Sequence, residues 1–480
     1  MKGWIKRGVP ALLAAALLSG CGAGVGGQST EVSAQPVNIT VWTYYNGAQL
    51  DSFNALVKEF NETVGAEEGI QVESFSLGTV NDLETNVLAA AQGKVGAGEI
   101  PNIFAAYADT AYALDKMGVV EDLSGYFTEK ELEAYVDAYI EEGRFSGDGS
   151  IKIFPVAKST EVFLLNKTDW EPFSAATGAT YEDFSTMEGL AATAQAYYEW
   201  TDSQTPEPND GRAFFGRDAM ANYFLVGAMQ LGTELFQVKN GKLELHFDRD
   251  VVRKLWDNYY VPFVKGYFAA TGRFRSDDIK TGNVISYVGS SSSATFFPDR
   301  VSISDTESYP IEMEALTVPG FAEGEAYAVQ QGAGMAVTKG EKREVEASVR
   351  FLKWITQDDK NIEFSVGSGY LPVTRAANDM ELIQTNQSDL TDVMDRILKA
   401  AVDMVNNNTL YTPKAFENGT SARSILEYSM SDRASEDRAV VVERLAEGQT
   451  LAQATEDFVS DAYFTAWYES TLASLQELAD

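Results

Sequence analysis

The chain of 480 residues has one cysteine, Cys21, and one histidine, His246. A lone cysteine excludes an intramolecular disulfide framework and a cysteine-rich zinc site. A lone histidine excludes multi-histidine metal centres and leaves any histidine-dependent triad resting on one residue. Basic charge is scarce as well, with 37 Lys and Arg against 71 Asp and Glu and a formal charge of −34. A nucleic-acid partner needs a basic face that releases counterions, so none is expected. Beyond the N-terminal segment no apolar run approaches the length of about 18 residues that would span a bilayer. The phosphate-cradling, zinc-protease and nucleophile-elbow signatures are missing too. Adjacent carboxylates such as Glu121-Asp122, Asp277-Asp278 and Asp358-Asp359 carry no information about the through-space separation that a glycosidase needs. Gly332-Ala333-Gly334 lacks the third glycine of a dinucleotide loop, because Val337 stands in its place. His246, within Leu243-Glu244-Leu245-His246-Phe247, reads as a strand residue. The expectation is therefore a protein that is not an enzyme and uses no metal or cofactor.

What is present begins with an N-terminal leader. Lys2, Lys6 and Arg7 form a positive region, and Val9 to Leu18 form an apolar run of signal-peptide length. Leu18-Ser19-Gly20-Cys21 resembles the lipobox of bacterial lipoproteins, which implies cleavage before Cys21 and lipidation of its side chain. The competing reading is an ordinary signal peptide with a chance cysteine. Residues 21–36, glycine-rich from Gly22 to Gly27, read as a flexible tether. The protein is thus expected outside the cytoplasm, lipid-anchored to the cell membrane.

Hydrophobic content of 45% and charged content of 22% are ordinary for a globular body. Val37-Asn38-Ile39-Thr40-Val41-Trp42 alternates and reads as a first strand. Phe53, Leu56, Val57, Phe60 and Val64 recur on a helical period. Ile70 to Phe75 alternates again, Leu83, Val87 and Ala91 mark a second helix, and Pro101 to Ala106 is a short buried strand. Strand, helix, strand, helix at this spacing predicts βαβ units on a parallel sheet. The middle of the chain is richer in helices and loops. Ser286 to Ser293 reads as a strand ending in a hydroxyl-rich turn, Val345, Val349, Leu352 and Ile355 mark a helix, and the last hundred residues are almost all helix-forming.

Five segments taken in order resemble the extracellular solute-binding proteins of bacterial ABC importers, the carbohydrate-binding type in particular. They are Ile39-Thr40-Val41-Trp42 with its helix, Ile100-Pro101-Asn102-Ile103-Phe104 continuing to Gly118-Val119-Val120-Glu121-Asp122-Leu123, and Phe154-Pro155 through Leu164-Leu165-Asn166-Lys167. Gly332 to Val337 with Phe351-Leu352-Lys353-Trp354-Ile355-Thr356 follows, and Gly369-Tyr370-Leu371-Pro372-Val373 closes the set. Asn102 departs from the usual Asp, and Leu165 from the more common Tyr. The resemblance implies an α/β, two-lobed periplasmic-binding-protein-like fold of type II with discontinuous lobes joined by a hinge. Lobe 1 would hold residues 37–157 and 332–375, and lobe 2, which is helix-rich, residues 158–331 and 376–480. It further implies a ligand in the cleft, closure of the lobes over it, delivery to the membrane subunits of an ABC importer, and action as a monomer.

A sugar is hydroxyl-rich with apolar faces, so its site needs aromatic platforms beside carboxylates and amides. Ligands lie beyond the carboxyl ends of parallel strands, which selects Trp42, Tyr44, Tyr45 and Asn46 after the first strand and Tyr107 and Asp109 after the third. Some of Trp42, Tyr44 and Tyr45 must also point into the core. Glu161 at the hinge either accepts sugar hydroxyls or pairs with Lys158. Asn222 and Tyr223 face the cleft if a helix starts near Asp218. Ser290 and Ser291 lie where glycine and small residues admit a close ligand; the resemblance adds Tyr370 and Arg375, which flank Leu371-Pro372 where the family places ligand or hinge contacts, and Phe416, after Pro413, where some relatives stack an aromatic on sugar. The expected ligand is an oligosaccharide. A polyamine or other small cation caged by carboxylates and aromatics is the alternative within the binding class, ferric ion on Tyr44-Tyr45 or Tyr259-Tyr260 is a weaker one, and a surface glycosidase is the rival from another class.

Overall fold

The computed structural model describes residues 36–239, 242–387 and 390–479. Cys21 and the leader lie outside the described residues. Two four-stranded sheets organise the body. In the first, Gly334–Val337, Ile103–Ala106, Val37–Thr43 and Ile70–Ser76 lie side by side in that order. The last three run parallel, with Val37 opposite Ile70 and Val41 opposite Ile103, while Gly334–Val337 returns antiparallel to Ile103–Ala106. The expected parallel core is present, joined by one strand from far along the chain. In the second sheet the order is Met313–Leu316, Glu161–Asn166, Ser286–Ser290 and Phe215–Arg217. Only the last pair is parallel.

Sequence period explains which faces are covered. In Val37–Thr43, Ile39, Val41 and Thr43 are buried while the residues between them are only partly so, the alternation of a sheet packed more tightly on one face. Helix Lys342–Ile355 lays Val345, Val349, Leu352 and Ile355 into the same core, where Phe60 meets Phe351 and Trp354 edge-on at 5.1 and 5.3 Å. The second sheet has its own aromatic core, in which Phe163 stacks between Phe184 and Phe215. Helices Arg249–Lys265 and Asp461–Ala479 close it with Trp256 against Tyr260 and Trp467. Tyr259 and Tyr260 are both interior, and Tyr260 donates to the buried Asp437. His246 lies one residue beyond strand Lys242–Leu245 rather than within it, with its amide donating to Leu235 O.

Three chain segments run side by side between the sheets. Lys158 bridges Leu371, and Ser159 bridges Gln331, both antiparallel. Gly332 has a left-handed φ of +89°, and a Cβ there would lie 3.0 Å from Ala157 O. Only glycine permits segments 157–160 and 330–333 to approach so closely. Lys158, wholly buried at this crossing, donates to Gly332 O at 2.5 Å and pairs with Glu142. A buried ammonium requires such partners. Among the described residues no helix is long and apolar enough to cross a membrane.

Candidate functional site

A cavity of about 730 Å³ opens beside this crossing and draws its walls from the ends of both sheets. Its volume lies in the range of small-molecule sites. The first wall is a tyrosine cluster. Tyr44 follows the first strand and Tyr107 the third, and their rings stack at 6.5 Å. Tyr370, from the third crossing segment, brings its hydroxyl to 3.2 Å from that of Tyr44. Burial and the neighbouring Tyr370 raise the Tyr44 hydroxyl well above its ordinary range. Tyr44, followed by burial, does the same for Tyr107, and burial for Tyr370. All three therefore keep their protons, and each hydroxyl can donate or accept.

Carboxylates lie beside the rings. Asp109, in the first turn of helix Ala108–Lys116, reaches across to the start of helix Gly419–Tyr428. A Cβ on Gly419 would stand 2.5 Å from Asp109 Oδ1, so the glycine is what lets that helix approach the carboxylate. Burial pushes Asp109 up to about 6, assisted by Glu84 and opposed by Arg423 and the Phe416 amide. Glu84 accepts from Thr110 Oγ1 at 2.5 Å. Glu142, whose carboxylate also takes Lys158, accepts from Gln330 Nε2 at 2.9 Å.

The opposite wall is held by a buried polar relay. Arg423 donates to Asn222 Oδ1, Asn222 Nδ2 donates to Glu161 Oε1 at 2.8 Å, and Glu161 pairs with Arg217. Phe416 completes this wall with its ring edge-on to Phe236 at 5.5 Å.

Of the residues selected from sequence, Tyr44, Tyr107, Asp109, Asn222, Ser290, Tyr370 and Phe416 line the cavity. Asn222 has both ends of its amide committed inside the wall. The other seven stand elsewhere, and each has a local cause. Tyr45 is 1% exposed, wedged between Phe53 and Phe364. It continues the buried parity of Ile39, Val41 and Thr43, whereas Tyr44 has the opposite parity. Trp42 shares the parity of Tyr44 but lies two residues back, where its ring would meet a Cβ on Gly98 at 3.9 Å. Asn46 turns away to bond Tyr44 O and Gly78 O. Glu161 is consumed by Arg217 and Asn222, not by Lys158. Tyr223 is interior and donates to Leu255 O at 2.8 Å. Ser291 is fully buried beneath the turn. Arg375 points outward to Asp137.

Glu84, Glu142, Gln330, Gln331 and Arg423 line the cavity and were not selected from sequence. Gln330-Gln331 immediately precede the Gly332-Ala333-Gly334 run, a polar pair at a close approach that sequence alone flags. Glu84 and Arg423 lie on helices with no comparable local sign. Among the described residues no group of acidic, histidine or cysteine side chains has the arrangement of a metal site.

A family model described as bacterial extracellular solute-binding protein matches residues 55–392. No curated protein matches the sequence. Among solved structures, the cyclic α-maltosyl-1,6-maltose binding protein of Arthrobacter globiformis is similar at 18% identity and a TM-score of 0.66, covering 92% of this chain and 100% of that one. UgpB of Mycobacterium tuberculosis, in complex with glycerophosphocholine, is similar at 18% identity and a TM-score of 0.66, covering 93% and 99%. An ABC substrate-binding protein of Listeria monocytogenes, in complex with cycloalternan, is similar at 16% identity and a TM-score of 0.63, covering 92% and 100%. At these identities the likeness is one of fold, a two-domain α/β architecture.

Proposed function

The chain belongs to the bacterial extracellular solute-binding proteins, and from that membership we propose that it is a receptor that captures an oligosaccharide in the cavity between its sheets and delivers it to an ABC importer. The observation that carries the sugar reading is the composition of one cavity: stacked Tyr44 and Tyr107 with Tyr370, beside Asp109, Glu84 and Gln331. Tyrosine faces suit the apolar faces of pyranose rings, while carboxylates and amides accept and donate to their hydroxyls. The similar folds of a cyclic α-maltosyl-1,6-maltose binding protein and of a substrate-binding protein in complex with cycloalternan support the same class. Sheet membership supports a first lobe of residues 37–157 and 332–375 and a second of residues 158–331 and 376–480. The crossing segments at Lys158, Gln331 and Leu371 are the hinge on which they close.

An extracellular solute-binding protein works outside the cytoplasm. The lipobox-like Leu18-Ser19-Gly20-Cys21 supports attachment through lipidated Cys21, and the receptor acts as a monomer without catalysis. A thermal-shift panel tests the ligand class. Mono- and oligosaccharides, polyamines, amino acids and ferric citrate are added to the chain from Gln28. A ligand at ~100 times its dissociation constant adds about 2.7 kcal/mol of stability. Shifts with a saccharide series are expected; a shift with polyamines alone would replace the sugar by a cation held on Glu84, Asp109 and the tyrosine rings.

A further inference from the structure

Phe274 is 53% exposed, yet it lines the cavity. An exposed phenylalanine on a floppy loop would need no explanation. This one is carried on a heavily braced turn. Asp278, wholly buried, accepts from Gly272 N at 2.9 Å, from Thr271 Oγ1 and from Arg275 Nη1. Arg275, 5% exposed, returns a bond to Gly272 O at 2.6 Å, and its amide reaches Asp218 Oδ1 at 3.2 Å. The Phe274 amide itself is fixed to Asp277 Oδ2 at 3.1 Å. The adjacent carboxylates Asp277 and Asp278 thus serve to hold residues 271–275 in place. Arg273 covers part of the ring, with its guanidinium 5.1 Å from the centroid. Phe296 is more exposed, at 73%, but does not line the cavity, and it provides a natural control.

A ring held in place before binding lowers the entropic cost of whatever comes to cover it. Tyr44 and Tyr107 follow strands of the first sheet, whereas Phe274 stands beside the second sheet, with Ser290 and Ser292 in the same cavity. Resting on the saccharide reading above, we infer that Phe274 is a second stacking platform, which receives a sugar ring beyond the one held at the tyrosine cluster. It makes this receptor selective for chain length. Ser290 and Ser292 then offer hydroxyls to that outer ring.

Calorimetric titration of α- and β-linked gluco-oligosaccharides of one to six residues tests this on wild type, Phe274→Ala, Phe274→Trp and Phe296→Ala. Covering a half-exposed phenylalanine corresponds to an affinity change on the order of 10-fold. The expected result is that loss for Phe274→Ala on the longer ligands, none on the monosaccharide, near-wild-type binding for Phe274→Trp, and no change for Phe296→Ala. Tryptophan emission of Phe274→Trp should also shift to the blue with long ligands only. Saccharide binding whose dependence on length is the same in Phe274→Ala as in wild type overturns the platform and leaves the receptor reading standing. Failure of every saccharide to bind wild type overturns both.

Discussion

Replacing Asp109 by Asn separates what the cavity needs from what the fold prefers. Burial lifts the Asp109 carboxyl from the ordinary 3.8 to about 6. That rise measures how far the folded protein disfavours the charged form, about 3 kcal/mol if taken whole. Water entering the cavity reduces it to about 1–3 kcal/mol. Because the folded-state value lies above the unfolded one, the contribution of Asp109 to stability is fully present below pH 3.8 and lost as pH rises through about 6. Asp109→Asn removes the charge while preserving shape. The ligand-free variant should therefore be more stable than wild type at pH 7.5 by about 1–3 kcal/mol, and the gap should close near pH 4. Asp218, also pushed up to about 6 by burial, titrates in the same window in both proteins and cancels in the difference. The same variant should bind its saccharide more weakly, since an amide accepts fewer sugar hydroxyls than a carboxylate. Urea unfolding of both proteins from pH 4 to 8 is the assay. A variant that is less stable at pH 7.5, or a difference that does not move with pH, would show that burial does not penalise the Asp109 charge.

Other substitutions probe the neighbouring walls. Glu161→Gln strands the buried Arg217 guanidinium, whose Nε already lacks a partner, and should lower unfolding free energy by about 3–5 kcal/mol in a denaturant titration. Tyr45→Ala empties a core position between Phe53 and Phe364 and should cost about 3–5 kcal/mol of stability. Tyr107→Ala, at the cavity, should instead cost about 1–3 kcal/mol of saccharide binding, roughly 5- to 150-fold in calorimetric affinity, while unfolding changes much less.

Periodic segments were the legible part of this chain. The alternation of Val37–Thr43 and Ile70–Ser76 and the helical spacing of Val345, Val349, Leu352 and Ile355 follow directly from which faces must be covered. Looking beyond the carboxyl ends of parallel strands selected Tyr44, Tyr107 and Asp109, which line the cavity. Strand parity, pushed two residues further, would also have separated Tyr44 from Tyr45, since buried Thr43 predicts that Tyr45 faces inward. What stayed hidden depends on distant pieces meeting. Arg423 reaches the cavity because Gly419 lets its helix press against Asp109, more than 300 residues earlier in the chain. Glu161 was open between ligand and ion pair, and the partner that took it was Arg217 rather than the nearby Lys158. No local pattern encodes such a choice. It is settled by which cation shares the second sheet.

On this reading a saccharide binds at the tyrosine cluster between the two sheets. The most direct test is calorimetric titration of the best saccharide from the stability panel into wild type, Tyr44→Ala and Tyr107→Ala. One site per wild-type chain and an affinity reduced roughly 5- to 150-fold in each variant are expected. Undiminished binding by both variants would contradict that reading and move the site away from this cavity.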